Sequence, residues 1–539
     1  MRRRPSFLST VALGLALGCS TNYRAEFQPA PGSDPGSTDP TAVAATPTAA
    51  FVKLHTHTGE VYVLDGWRFD EDARRVHGTG IHYSAEREPL ARGEVELGYD
   101  EVALVETNTP ERITHATSLA IMGVVGATAF GGVLLCAANP KACFGSCPTF
   151  YVHDGDALEL RAEGFSSAVA AALEERDVDH LGVVDPVGGR FELVMANEAF
   201  ETHFLRRVEL LSVARPSPEV AVFHTREGFV GVRDRVAPSG CRSRAGDCLA
   251  AVVGADADEY GSSASPENLA EREHIELEFP AALDRGSAGE RALVIRARNS
   301  LLDTFLFYQG LAYMGEELPR WILRADHEGP DGLFVSLLRG FDRELGDIEV
   351  EVWDGQGWRA AGSFREYGPI AHETQVVTLP PVAGAGPVRV RLELTRGRWK
   401  LDSVELGAAV GRLSAVAVSP DRVGRAGAED PAALARLLDP EARLLSYPGD
   451  VWTLGFALPD GPQALFLAAE GYYWEWPRED WLPEQSAVAA ARFFADPAAT
   501  LRRLAPIYAA MESELAPVFW ETRIRPLPLA GARAPAVGR

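Results

Sequence analysis

The chain has 539 residues, 24% of them charged and 46% hydrophobic, enough for three to five domains at roughly 100 to 200 residues each. Its 76 acidic residues outnumber its 52 basic ones, a net charge of −24, which repels phosphate backbones and argues against nucleic acid as a partner. Lysine occurs at just Lys53, Lys141 and Lys400. That removes a P-loop, a Ser-x-x-Lys acylation site and most Schiff-base chemistry.

Residues 1–19 open with Arg2, Arg3 and Arg4, continue as an apolar run and end in Gly18-Cys19, the pattern of a secretory signal peptide. The end, Leu15-Ala16-Leu17-Gly18-Cys19, resembles the lipobox of bacterial lipoproteins, with Ala16 standing where that family favours leucine. The resemblance implies that Cys19 becomes the first residue of the mature chain and carries fatty acyl groups, palmitate among them. By that family's sorting rule Ser20 points to the outer membrane. The alternative is an ordinary secreted chain with an unmodified cysteine. Residues 20–48 are mostly Pro, Ser, Thr, Asp, Gly and Ala; they cannot bury a core and are expected to form a disordered tether.

Residues 49–110 alternate apolar and polar positions in short runs, which predicts a small β unit. His55 and His57 share one face of a predicted strand, the spacing of a metal pair, but no carboxylate completes a site and both are expected at the surface. Residues 118–139 contain a twenty-residue uncharged stretch, 119–138, long enough to span a membrane. Gly123, Ala127 and Gly131 put small residues on one face of it. Both a span and a helix buried against protein fit this segment.

Beyond Cys19 five cysteines remain, so one thiol stays unpaired within the chain. In an oxidising space the short-range pairs are Cys143 with Cys147 and Cys241 with Cys248, with Cys136 a buried thiol. A metal site from Cys143, Cys147 and His153 lacks a fourth ligand, and no metal or other cofactor is expected.

Residues 143–260 predict a hairpin-rich β unit with one helix near 166–175. Its densest polar run ends in Glu201-Thr202-His203. As chemistry, Glu201 and His203 are an acid/base pair or metal ligands on one strand face; as structure, they belong to a solvated edge, which is the expectation here. Asp256, Asp258 and Glu259 lack the glycine and bidentate glutamate of a calcium loop.

The alternation is clearest over 273–406. Ile348, Val350 and Val352 interleave with acids, and Val388, Val390, Leu392 and Leu394 with charged residues. With no interleaved helices in evidence, this predicts a two-sheet sandwich. The stretch from Val350 through Trp358, with Trp399-Lys400-Leu401-Asp402-Ser403-Val404, resembles the galactose-binding-type jelly rolls of carbohydrate-binding modules. That likeness implies glycan binding through exposed aromatics, with Trp353 and Trp358 as candidates and Trp399 in the core.

Residues 407–429 are small and read as a linker. Residues 430–525 predict an α+β unit: Asp430-Pro431 starts one helix, and Asp496-Pro497 starts another whose apolar stripe is Leu501, Leu504, Tyr508, Met511, Leu515 and Phe519. The aromatic block of Tyr472, Tyr473, Trp474, Trp476 and Trp481 is expected to cover that helix. Residues 526–539 read as a disordered tail.

The chain is thus expected to be mainly β and multidomain: hairpin-rich β units, a central sandwich or jelly roll, and a C-terminal α+β unit. The blocks around Cys147-Pro148 and 471–476 resemble segments of uncharacterised bacterial lipoproteins. The expectation for function is a non-enzymatic envelope lipoprotein, bound to a membrane through its N-terminal lipid, with a glycan or a protein as further partner. The alternatives are an extracytoplasmic, glycan-directed hydrolase and a single-span assembly or signalling protein. No GxSxG, HExxH or Gly-rich dinucleotide turn supports an enzyme.

Overall fold

The computed structural model describes residues 22–29, 50–85, 89–111 and 147–522, except 156, 185–187, 200, 257, 281–289, 367, 382–385, 426, 460 and 476–484. The signal peptide with Cys19, the apolar segment 118–139, Cys136, Cys143, Trp476, Trp481 and the tail lie outside them. Among the described residues no helix is long and apolar enough to cross a membrane. The protein is mainly β, with several antiparallel sheets and a helical C-terminal unit.

The alternating strands of the central region build a sandwich. One layer is a closed barrel in the order Ala221–Thr225, Gly228–Val236, Trp399–Leu413, Arg291–Asn299, Glu373–Leu379. The other is a six-stranded sheet in which Val388–Thr395 lies between Arg272–Phe279 and Ile348–Trp353. Ile275, Leu277, Val350 and Val390 of the sheet meet Leu293, Ile295, Leu401 and Leu406 of the barrel in one core, as the predicted dry faces require. Asp354 closes the predicted hairpin: its Oδ1 accepts from the N–H of Gln356 and Gly357 at 2.8 Å each, and Trp353 pairs with Trp358 across it.

Two expectations for this region are corrected. Three helices interrupt it: α1 (Leu302–Met314), α2 (Leu318–Glu328) and α3 (Leu333–Leu345). Along α1, Phe305, Leu306, Tyr308, Leu311, Ala312 and Met314 are all buried, so it is apolar on every side and carries no helical stripe to read. The expected linker also starts inside a strand, since Trp399–Leu413 runs through Gly407, Ala408 and Ala409. These residues are small because the barrel wall is close: a Cβ on Gly407 would stand 2.4 Å from Val232.

Flanking segments of the chain combine into a second sandwich. Its first sheet places Arg190–Ala196 between Thr149–Asp154 and Val451–Ala457, with Met195 opposite Trp452. Its second places Gln463–Glu475 between Glu201–Ala214 and Glu175–Val184. Phe150, Leu193 and Phe456 pack against Leu205, Leu465 and Leu467. Residues 143–260 and 430–525, expected as separate units, therefore share both sheets; pairing over such separations leaves no mark in local periodicity. The helix expected near 166–175 is one 3-10 turn, Ala171–Leu173.

Asp430 caps α4 (Pro431–Leu438) by accepting from Ala433 N, as its sequence predicts. Helices α5 (Ala487–Ala495) and α6 (Pro497–Thr522) join α1 to α3 in a layer over the outer face of the first sheet, where Tyr151, Val194 and Ala196 meet them. The predicted stripe of α6, Leu501 through Phe519, is buried there. The described aromatics of the 472–476 block turn elsewhere: Tyr472 stacks on Phe204 at 4.7 Å and Tyr473 enters the second sandwich's core.

The N-terminal β unit is a six-stranded sheet with a core of Val52, Leu54, Leu64, Val76 and Val105. Its edge strand Asn22–Pro29 runs antiparallel to Val102–Glu111, within the segment expected as a tether.

Candidate functional site

The helical layer, the edge strand Glu175–Val184 and the rim of the central sandwich enclose a cleft of about 910 Å³. Its two walls differ in chemistry. Helices α1 and α3 supply Leu306, Phe307, Leu311, Phe334 and Phe341, and α5 adds Phe493 and Phe494. The rest of the lining is charged: Glu163, Glu175, Asp177 and Glu366 lie on it, and so do Arg176, Arg226, Arg339, Arg343 and Arg365.

The strand geometry explains the second wall. Side chains two residues apart share one face of a strand, so the run Glu175-Arg176-Asp177-Val178-Asp179 puts three acids on one side. Asp177 accepts from Phe165 N at 3.1 Å and Val178 N at 2.9 Å. Glu163 accepts from Ile370 N at 2.7 Å and Ala371 N at 3.2 Å, and Glu366 from Gly368 N at 2.7 Å. Behind them lie Asp179 and Glu373, 4% and 3% exposed. Glu373 takes the N–H of His180 at 3.0 Å.

Burial first, and the neighbouring carboxylates second, oppose ionisation here. Burial and Glu175 push Asp177 up to about 7. Burial and Asp177 drive Asp179 well above the usual range, and burial and Asp177 do the same to Glu366. Glu373 rises to about 8, again chiefly through burial. Across the cleft, burial and Asp303 raise Asp342 to about 6.

The loop carrying Ser166 and Ser167 into the cleft is held in an unusual conformation. Phe165 has φ +39°, a left-handed backbone that opposes a side chain, and it is fixed by the Asp177 hydrogen bond and by full burial of its ring. Gly471 leaves space for that ring, since a Cβ there would lie 3.1 Å from it and 2.4 Å from Phe204 O. Cys147, also on the lining, is a buried thiol outside any disulfide. Burial and then Glu163 raise its pKa, so it stays protonated and unreactive.

The residues singled out from the sequence lie elsewhere. Cys241 and Cys248 form a disulfide, whereas Cys147 does not pair and its expected partner Cys143 is not among the described residues. Glu201 and His203 are not on a solvated edge: His203 Nε2 and Glu201 Oε1 are 2.6 Å apart with both side chains fully buried. Strands on both flanks explain this, because His203 lies opposite Ser446 on one side and Tyr473 on the other. His55 is likewise buried, 3.1 Å from the Glu106 carboxylate, which also holds Lys53 at 3.3 Å. Trp353 and Trp358 meet edge to face at 5.4 Å. Arg389 lies over both rings at 5.3 and 5.4 Å, and Arg391 over Trp358 at 4.7 Å, so arginines already contact the predicted sugar platform. Trp399 is buried in the sandwich core. Among the described residues no group of three or more His, Cys, Asp or Glu could hold a metal ion.

The cleft itself was not anticipated. The alternate spacing of Glu175, Asp177 and Asp179 is the local signal of it in the sequence; Glu366 and Glu373 come from a segment about 190 residues away and carry none.

No family model matches the chain. No curated protein matches it either. Among solved structures, the secreted serine protease VesC from Vibrio cholerae is similar at 10% identity, over 69% of this chain and 98% of that one, with a TM-score of 0.13. The arabinofuranosyltransferase AftD from Mycobacteria is similar at 10% identity, over 91% of this chain and 44% of that one, with a TM-score of 0.11. Overlap at this level carries no functional argument.

Proposed function

We propose that this chain is a lipid-anchored protein of a bacterial envelope, held at a membrane through Cys19, whose folded body binds a small ligand. The observation that carries the binding role is the cleft of about 910 Å³ that joins an apolar helical wall to charged side chains, the carboxyls of Glu163, Glu175, Asp177 and Glu366 among them. Ligand sites are typically concave, mostly apolar and furnished with a few convergent polar groups. The anchor rests on the lipobox resemblance at Leu15 to Cys19, and outer-membrane sorting on Ser20. A glycan held at Trp353 and Trp358 is a separate partner on this reading, one that would have to share those rings with Arg389 and Arg391.

A second reading, glycan hydrolysis, has one observation in its favour. Asp177, at about 7 in the cleft, has the proton affinity of a general acid at neutral pH.

The binding role is tested with a neutral apolar dye, N-phenyl-1-naphthylamine, added to the full chain in lipid nanodiscs with the signal of empty nanodiscs subtracted. Fluorescence should rise and saturate. Thr304 lines the cleft from α1 and is half-buried, so Thr304→Trp fills space without emptying the core and should weaken dye binding at least tenfold. Equal binding by both proteins, or none by either, contradicts the role.

A further inference from the structure

The apolar wall says little about what the other end of a ligand carries; the acid wall says more. Glu175, Asp177, Asp179 and Glu373 form no ion pair among the described residues, although the chain holds 52 arginines and lysines. Arg365, which also lines the cleft, is engaged by Asp347 at 3.1 Å. Arg339 donates to the Pro330 carbonyl at 3.1 Å. Asp177 and Glu373 accept from backbone N–H groups, and the hydroxyls of Ser166 and Ser167 reach Glu163 and Glu175. These orient the carboxylates without neutralising them.

A second observation is independent of the clustering. Asp179 Oδ2 and Glu373 Oε1, on side chains more than nine-tenths buried, have no hydrogen-bond partner among the described residues. Both belong to the same electrostatic group as Asp177. A buried polar oxygen left without a donor is costly, and carboxyls that simply shared protons would bond to one another. Arg365 and Arg339 lie near Glu175 and Arg296 near Glu373, but among the described residues none of them forms an ion pair with these acids, and the group adjoins an open cleft.

Building on the cleft as a binding site, we infer that its ligand is an organic cation: an apolar body seated on Phe307, Leu311 and Phe334, ending in an ammonium or guanidinium group received by Glu175, Asp177 and Glu366. Such a head group supplies several N–H donors and an ion-pair partner together. A cation stabilises the ionised carboxyls that burial otherwise opposes, whereas an isosteric neutral molecule gains nothing from them and an anionic one is repelled.

Three probes share one apolar body: 4-phenylbutylammonium, 4-phenylbutanol and 4-phenylbutyrate. Each is titrated calorimetrically into the full chain in nanodiscs and used to compete with the dye. The ammonium should bind at least tenfold more tightly than the alcohol, and the carboxylate most weakly. In Asp177→Asn the ratio of ammonium to alcohol affinity should collapse towards one. Glu175→Gln carries the same comparison if Asp177→Asn does not fold. Equal displacement of bound dye by alcohol and ammonium overturns the cation reading and leaves the binding role standing. Failure of all three probes on a protein that still binds the dye also overturns it. Failure of dye and probes alike removes both.

Discussion

Replacing Glu259 with glutamine should lower the thermal midpoint by about 6 to 20 °C at pH 7, since breaking a buried ion pair costs about 3–5 kcal/mol and each kcal/mol is worth about 2–4 °C in a domain of this size. Arg298 grips Glu259 with two bonds, Nε to Oε1 and Nη2 to Oε2, each 2.7 Å. His372 Nε2 reaches the same carboxylate at 2.7 Å, and all three side chains are at most 8% exposed. An ionised carboxylate accepts only, so His372 carries its proton on Nε2. Burial pushes Glu259 upward, but the His372 hydrogen bond and the Arg298 charge outweigh it and hold the group at about 2. The sign follows from that lowered value: the contribution is complete above the ordinary glutamate range and is lost as pH falls towards 2. The Glu259→Gln penalty should therefore be flat from pH 6 to 8. Melts followed by circular dichroism check this, and a drop below 2 °C would mean the pair is not the clamp between the 256–264 segment and the barrel strand Arg291–Asn299.

The acid wall should behave in the opposite sense. Glu373 and Asp177 have raised values, about 8 and about 7, so their contribution is complete below the ordinary carboxyl range and is lost as pH climbs through 7 to 8. Without ligand, the wild type should melt lower at pH 8.5 than at pH 5. Glu373→Gln should raise the midpoint at pH 8.5 by at least about 4 to 8 °C, taking relief of one buried, uncompensated charge as about 2 kcal/mol. At pH 5 the same substitution should have little effect. A Glu373→Gln protein that is less stable at pH 8.5 would show that the carboxylate has a cation partner in the ligand-free protein.

These two sites show where the sequence could and could not be read. Strands with one wet and one dry face, such as Ile348–Trp353 and Val388–Thr395, were legible because burial on one side imposes period two. The stripe on α6 and the Asp430 cap were legible for the same local reason. Helix α1 was not, because a helix buried all round has no polar face. The shared sheets of the second sandwich were not, because Arg190–Ala196 finds Val451–Ala457 some 250 residues on. Charge usually means exposure, so Glu201 and His203 suggest a solvated edge; two flanking strands enclose them instead. Of the cleft, the acids at 175, 177 and 179 alternate in the sequence, but nothing local marks them as part of a site, because Glu366 and Glu373 arrive from the central sandwich.

The most direct measurement is native mass spectrometry of the chain released in mild detergent from the membranes of its own cells, beside Thr304→Trp prepared identically. The wild type should begin at Cys19 with the added mass of acyl chains and should lose a small positively charged molecule on denaturation; the variant should keep the acyl mass and lack that molecule. An unacylated chain still beginning at Met1, with the same mass before and after denaturation, would contradict both the anchor and the binding role.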